Sequence, residues 1–401
     1  MEYSEAFNII ERRLFESVDV SIDIDDDAIM DRIQEEICEY ARERPLDVED
    51  RIKLQKELFY SLRKYDVLSQ LLEDDDITEI MINGYNHIFI EKWGKVIETD
   101  CHFSTKEKLD DVIQQIVGAN NQVINETTPI VDTRLSDGSR VNIVLPPIAI
   151  DGSVMSIRRF SKEPITLNRL IEFNSINDEI KSFLKKLIKA RYNIFISGGT
   201  GSGKTTFLNA LTEFIEEDER VITIEDAAEL QIIGINNLVR LEARRENIEG
   251  DLEVTIRDLV RTSLRMRPNR IIVGECRGPE AIEVLQACNT GHDGSLSTGH
   301  ANSSTDMISR LETMVLQGMD IPVLAIRKQI ASAIDIFIHL GRLPNGERKL
   351  IEISEVIGVE EEDIKLNKLY EFDYESKGKD SKWIRKSSLQ NTEKLLRIQK
   401  S

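Results

Sequence analysis

The sequence predicts an α/β chain. Its C-terminal domain is built on a parallel sheet covered by helices, a smaller α+β domain precedes it, and a helical extension comes first. Three observations predict this. From Ile176 onward, short apolar strands alternate with amphipathic helices, the pattern of a parallel sheet. Between residues 55 and 160, β-rich runs surround one helical stretch. Residues 1–54 carry apolar side chains at helical spacing in a polar, acidic background.

Bulk properties narrow the function. The 401 residues, 40% of them hydrophobic, suffice for two or three domains with cores. No apolar run reaches the ~18 residues of a membrane span. The acidic N-terminus lacks the apolar segment of a signal peptide. Cys38, Cys101, Cys276 and Cys288 are scattered without a CxxC pair, which argues against a zinc ribbon or a disulfide framework and suggests a reduced, cytosolic setting. The net charge of -20 repels nucleic-acid phosphate. It is unevenly spread: residues 1–50 hold 17 acids and 5 bases, and residues 376–401 hold 8 bases and 2 acids. Both ends read as solvated surface, or as one end meeting a partner or a membrane surface.

Taken in order, Ile29, Ile33, Ile37 and Tyr40 mark a helix that Pro45 ends. The acids before it do not form a calcium loop, because Ala28 and Gln34 stand where glycine and a bidentate glutamate are needed. In "ITEIMINGYNHIFIEKWGKVIE" two alternating runs flank Asn83-Gly84, a hairpin signal. "KEKLDDVIQQIVGAN" places Leu109, Val112, Ile113 and Ile116 on one helical face. Two further strands surround Pro146-Pro147, and residues 161–175 read as a linker. An amphipathic helix carrying Ile180, Phe183, Leu184, Leu187 and Ile188 opens the domain at 176–360. Strands follow at 193–197, 221–224, 270–273 and 295–298, with Pro279 well placed as a first helical residue. Residues 334–340 and 348–356 flank "GRLPNGE" as a hairpin, and residues 361–401 read as a C-terminal extension with a basic tail.

The chemistry concentrates after the first of these strands. Gly198 to Thr205 reads G-G-T-G-S-G-K-T and matches G-x-x-x-x-G-K-[ST] between a strand and a helix, the context of a phosphate-binding loop. Several backbone N–H groups must converge on one anion, which needs dihedrals that a Cβ obstructs. Gly199, Thr200, Gly201, Ser202, Gly203, Lys204, Thr205 and Thr206 are the expected nucleotide-binding residues. Lys204 would reach the β- and γ-phosphates of ATP, and Thr205 would ligate Mg²⁺.

Hydrolysis also needs carboxylates. "VITIEDAAEL" ends a strand with Glu225 and Asp226, and "RIIVGECRGPE" ends another with Glu275, after Gly274. Ligands of open α/β sheets sit at such strand ends, so both should converge on the loop. His292 and His300 lie in "NTGHDGSLSTGHANS"; one reads as a γ-phosphate sensor rather than a metal ligand. In the first domain Arg140, Arg158 and Arg159 could deliver a guanidinium, with Arg240, Arg244 and Arg245 as competitors.

Together "GGTGSGKTT", "TIEDAAELQ", "TIRDLVRTSLRMRP", "RIIVGECRGPEA" and "NTGHDGSLSTGHANS" resemble the motifs of the secretion-ATPase superfamily, the type II and type IV secretion and pilus motors. The hairpin sequence "RLPNGERKLIEISEVIGV" resembles the CpaF-type ATPases of tight-adherence (Flp) pilus assembly. The resemblance spans about residues 60–360. It implies a RecA-like P-loop NTPase domain joined to a PAS-like N-terminal domain, assembled as a homo-oligomeric ring, a hexamer in that family. It implies an Mg²⁺-dependent ATPase at the cytoplasmic face of the membrane, working on polytopic inner-membrane platform proteins. By this resemblance Glu225 carries the water-activating carboxylate and Glu275 supports Mg²⁺. His292 and His300 belong to the histidine motif, and Arg140 and Arg158 reach the phosphates. Arg158 stands ahead of Arg159, which alternates to the opposite strand face. One departure is Asn269 in "RMRPNR", where the family usually shows aspartate. The rivals are a nucleic-acid-translocating RecA-like motor and a nucleotide-gated scaffold with little turnover.

Overall fold

The computed structural model describes residues 2–17, 26–63, 65–92, 94–159, 164–244, 253–376 and 382–399. The chain divides into two compact units, Met1–Lys162 and Glu163–Ser401.

The first unit begins with helices Glu2–Ser17, Asp26–Glu43 and Val48–Arg63. Their apolar stripes meet around Ala6, Ile10, Leu14, Ile33, Leu54 and Leu58. Ile29, Ile33, Ile37 and Tyr40 are all buried, as their spacing requires. The expected boundary at residue 54 is corrected, because it falls inside the third helix, whose Leu54 and Leu58 share this core.

An antiparallel sheet of six strands follows. Its strands are β1 (Ile77–Asn83), β2 (Ile88–Lys92), β3 (Lys95–Glu98), β4 (Ile130–Arg134), β5 (Arg140–Val144) and β6 (Val154–Arg158), in the order β3-β2-β1-β6-β5-β4. Gly84, at φ 70°, opens the β1–β2 turn, in a conformation that costs other residues strain. Helix Lys106–Gly118 starts where the Thr105 side chain accepts from Lys108 N. It buries Leu109, Val112, Ile113 and Ile116 against Ile80, Ile82, Ile143, Met155 and Ile157. Period-two alternation then turns Arg140 and Arg158 to the opposite face of the sheet.

The second unit holds a nine-stranded sheet. Its strands are β7 (Ile194–Gly198), β8 (Arg220–Glu225), β9 (Asn237–Glu242), β10 (Arg270–Val273), β11 (Leu296–His300), β12 (Ile336–Arg342), β13 (Arg348–Glu360), β14 (Asp363–Phe372) and β15 (Trp383–Arg385). The order is β15-β14-β13-β12-β7-β11-β10-β8-β9. From β12 to β9 every neighbouring pair is parallel, while β13, β14 and β15 add antiparallel strands at one edge. The four expected parallel strands form within a residue or two of their expected positions. The central strands are buried along their length, so they read as continuous apolar runs.

Three boundaries differ from expectation. The supposed linker at 161–175 contains helix Leu167–Glu172, whose Leu167 and Leu170 join the core under the sheet. The domain does not stop at 360, because β14 and β15 continue its sheet and Trp383 is buried in its core. Pro279 precedes its helix, Ala281–Asn289, by one residue; buried Glu280 accepts from the N–H groups of Arg277 and Gly278 and holds that turn.

Candidate functional site

β7 is the central strand of the nine-stranded sheet and runs directly into the glycine-rich loop, which ends where helix Lys204–Thr212 begins. Gly201 at φ 71° and Gly203 at φ 91° take the left-handed conformation that turns successive N–H groups inward. Gly198 answers a different need. A Cβ there would lie 2.5 Å from Ser202 Oγ and 2.6 Å from the Leu340 carbonyl oxygen. The loop is therefore closed tightly on itself beside β12.

Lys204, the first residue of that helix, is buried. Its Nζ donates to the carbonyls of Gly198 at 3.2 Å and Gly199 at 3.1 Å and lies 3.4 Å from His300 Nδ1. Burial pushes its ammonium below the ordinary lysine range, while the nearby Glu275 carboxylate pulls the other way. His300 ends β11, in register with Gly198 on β7. Its Nε2 lies 3.0 Å from Glu275 Oε1. Burial and then the Lys204 charge lower His300, which favours a neutral imidazole.

Glu225 ends β8 and is 3% exposed. Its Oε1 accepts from the backbone N–H groups of Glu229 at 2.9 Å and Leu230 at 3.0 Å. Its Oε2 is buried without a hydrogen-bond partner. Burial pushes the carboxyl above its usual range, against those two hydrogen bonds. Across from it, a Cβ on Gly274 would lie 2.8 Å from Glu225 Cγ. This explains why glycine, not an acid, closes β10: the Glu225 side chain occupies that space, and the acid moves one residue on to Glu275.

Arg277 was not singled out in the sequence. Its Nη2 donates to Glu275 Oε2 at 2.7 Å, and its Nη1 lies 3.8 Å from Asp226. It spans the two acid-bearing strand ends. Only a positive residue two places past Glu275 could have pointed to it.

Lys204, Glu225, Glu275 and His300 thus stand together at the carboxyl ends of β7, β8, β10 and β11, with Thr205 and Thr206 partly buried in the first helical turn. His292 does not join them, which corrects its expected role within this unit. It precedes β11 at the opposite end of the sheet, where Nδ1 sits 3.3 Å from the Ala287 carbonyl. Asn269, where an acid was expected, accepts from Arg220 N at 2.8 Å through Oδ1, a bond that needs no charge. Arg240 lies on edge strand β9, and its charge pulls on Glu225. Arg244 forms an isolated bridge with Val254, and Arg245 lies outside the described residues.

In the first unit, Arg158 stands directly opposite Arg140 on adjacent strands, and Arg134 on β4 continues the row. Glu79 on β1 faces Arg158 from the other side, its carboxylate 3.8 Å from that guanidinium. Arg159 is on the other face. Its guanidinium donates to the carbonyls of Leu72 at 2.8 Å and Ile77 at 3.3 Å, a buried structural role.

The donor set fits a nucleoside triphosphate with Mg²⁺. Ser202 Oγ in the loop and Glu225 Oε2 at the end of β8 are buried polar atoms left without partners. A hydroxyl at Thr205 and a carboxylate at Glu275 are hard oxygen ligands of the kind Mg²⁺ takes. The fold and this site define a P-loop nucleotide-binding protein.

Comparison with known proteins is more specific. The family model described as "Type II/IV secretion system protein" matches residues 62–370, and the chain belongs to that family of secretion ATPases. It is 34% identical over 295 residues to a Mycobacterium tuberculosis protein named for conjugal transfer, covering 72% of this chain and 83% of that one. It is 31% identical to the conjugal transfer protein TrbB of Rhizobium radiobacter, covering 74% of this chain and 87% of that one. It is also 31% identical to the type IV secretion system protein VirB11 of Bartonella quintana, covering 73% and 92%. Among solved structures, the fold is similar to the Legionella pneumophila ATPase DotB, with a TM-score of 0.52 and 24% identity over 72% of this chain and 79% of that one. The pilus retraction motor PilT with bound ADP gives 0.53 and 17% over 84% and 87%.

Proposed function

We propose that the protein is an Mg²⁺-dependent ATPase motor, assembled as a hexamer, that powers a tight-adherence (Flp/Tad) pilus or a related type II/IV secretion machine. The observation that carries the catalytic part is the pair of orphaned buried oxygens, Ser202 Oγ in the loop and Glu225 Oε2 at the end of β8. Buried polar groups without partners are rare and ask for a ligand.

The loop's N–H groups and Lys204 bind the phosphate chain of ATP. To do so Lys204 gives up its two carbonyl contacts for charge-assisted bonds to phosphate. When bound, Mg²⁺ neutralises phosphate charge, held by Thr205 and supported by Glu275. Glu225 is oriented by two backbone N–H groups through Oε1, which leaves Oε2 to accept a proton from the attacking water. Its raised affinity for a proton suits that task. Neutral His300 donates to phosphate oxygen. The family resemblance assigns Arg140 and Arg158 to the phosphates as well. His292 takes no part. The ring acts at the cytoplasmic face of the membrane on a polytopic platform protein.

Lys204→Ala should bind a fluorescent ATP analogue at least a hundredfold more weakly, as loss of a buried charge-assisted contact implies. Glu225→Gln should bind but not turn over. Undiminished phosphate release in Glu225→Gln would remove that residue from its role.

A second reading is a conjugative type IV secretion motor. The names of the relatives from Rhizobium and Bartonella favour it. Loss of surface pili on deleting the gene supports the first reading. Loss of conjugal transfer with pili intact supports the second.

A further inference from the structure

The β12–β13 hairpin carries two cations that the reading above does not use. Arg342 ends β12 and Arg348 begins β13, and they are direct cross-strand partners. Both are exposed. Like charges placed opposite each other in a sheet cost stability. Among the described residues, neither guanidinium has an ion pair or a hydrogen bond. The one acid of the turn, Glu347, is already engaged by buried Lys349, 3.1 Å away.

Both arginines border the phosphate loop. A Cβ built on Gly201 would lie 3.7 Å from Arg342 Nη1, and one built on Gly203 would lie 3.5 Å from Arg348 Cδ. These are the two left-handed glycines that shape the cradle. The hairpin bearing the arginines is itself well braced. Leu343 N donates to the Glu347 carbonyl at 2.8 Å, Gly346 N to the Leu343 carbonyl at 2.8 Å, and Asn345 Oδ1 accepts from Glu347 N at 3.0 Å. The Leu340 carbonyl, two residues before Arg342, packs directly on Gly198.

We propose that Arg342 and Arg348 form a guanidinium fork that binds the phosphate chain of the nucleotide held in the same subunit's loop. The proposal rests on the nucleotide-binding reading above and adds two residues to it. A planar guanidinium presents paired N–H donors that match phosphate oxygens, and polyphosphate is the ligand class that repays two opposed, unneutralised cations at this place. Because the fork is exposed, its contribution is electrostatic and screened by salt.

The test is titration of the full-length wild type, Arg342→Ala, Arg348→Ala and the double variant with methylanthraniloyl (mant)-labelled ATP, ADP and AMP, in Mg²⁺, at low and high salt. Each single variant should weaken mant-ATP binding about tenfold at low salt, the lower end for hydrogen bonds to charged groups. The loss should be smaller for mant-ADP, smallest for mant-AMP, and reduced at high salt. The paired Lys substitutions should recover part of it, which a merely structural hairpin role would not produce. A double variant with wild-type affinity and salt dependence for all three nucleotides overturns the proposal alone. So does normal binding combined with lost turnover that mixing with Lys204→Ala subunits restores, since the fork would then serve a neighbour. A wild type that binds none of the nucleotides, with Lys204→Ala indistinguishable from it, overturns the nucleotide reading and the fork with it.

Discussion

Replacing Gly274 with alanine tests the central geometry of the site. The new methyl carbon would stand 2.8 Å from Glu225 Cγ and 3.3 Å from its Oε1, closer than carbon and oxygen atoms approach without displacement. Glu225 is buried and held by the N–H groups of Glu229 and Leu230, so moving it breaks both bonds. Overpacking of this kind costs about 1–3 kcal/mol. Loss of hydrogen bonds to a charged group adds roughly 1.5–3 kcal/mol each where water cannot replace them, and the part-buried Glu229 N–H recovers some of that. A total of about 3 kcal/mol follows, which lowers the Tm of a unit this size by roughly 6–12 °C. Because the same displacement spoils the orientation of Oε2, turnover should fall at least a hundredfold. The assay is differential scanning fluorimetry alongside phosphate release. Glu225→Ala removes the obstacle, so the double variant should be clearly less destabilised than the sum of the singles. A Gly274→Ala protein with wild-type Tm and turnover would refute the reasoning, as would strict additivity in the double variant.

Other consequences follow from the same contacts. Arg270 is buried in a two-bond pair with Glu219, with a further bond to the Ile188 carbonyl, so Arg270→Met leaves the buried Glu219 carboxylate only its 3.1 Å pair with Arg191 and should cost about 1.5–3 kcal/mol; changing Glu219 to Met as well should restore much of it in denaturant melts. Trp383 is buried and donates through Nε1 to the Leu350 carbonyl at 2.6 Å, so Trp383→Ala should cost about 3 kcal/mol or more while leaving nucleotide affinity intact in a mant-nucleotide titration. His339 is buried on β12 beside Ser197 Oγ at 2.9 Å, and burial lowers it below the ordinary histidine range. The unfolded chain therefore binds this proton more readily, so the stability it preserves is present above about pH 6.5 and is lost on acidification below that; His339→Gln should flatten the fall in Tm between pH 7 and 5. Arg277→Ala, which releases Glu275, should raise the Mg²⁺ concentration needed for half-maximal turnover about tenfold, with little change in Tm.

Much of this protein was readable in the chain because the relevant signals are local. The loop from Gly198 to Thr205 combines residues whose conformational needs are set by near neighbours: left-handed glycines, then a helix start. Amphipathic spacing located the helices whose stripes meet one core, such as Lys106–Gly118 and Asp178–Lys189. Placing Arg158 ahead of Arg159 needed only the two-residue period of a strand. The acids at the ends of β8 and β10 were identifiable because strand ends are visible as the end of an apolar run.

Where those acids point is a different matter. Gly274 makes way for Glu225 because parallel pairing sets β10 against β8 in a particular register, and no local pattern encodes that register. His292 and His300 are separated by one strand, which carries one to the loop and leaves the other at the far end. Arg277, Arg342 and Arg348 look like ordinary surface cations until strand order brings them to the loop's acids or its rim. The last forty residues read as a polar tail, yet their alternating side chains complete a sheet edge, and Trp383 and Glu355 tie them down, the latter accepting from Gln390 N and Asn391 N. Spacing along the chain decides helix, strand and phosphate cradle, because those depend on dihedrals and on residues a few places apart. Which charges face one another is decided by pairing between residues tens of positions apart, whose energies only the assembled sheet brings into range.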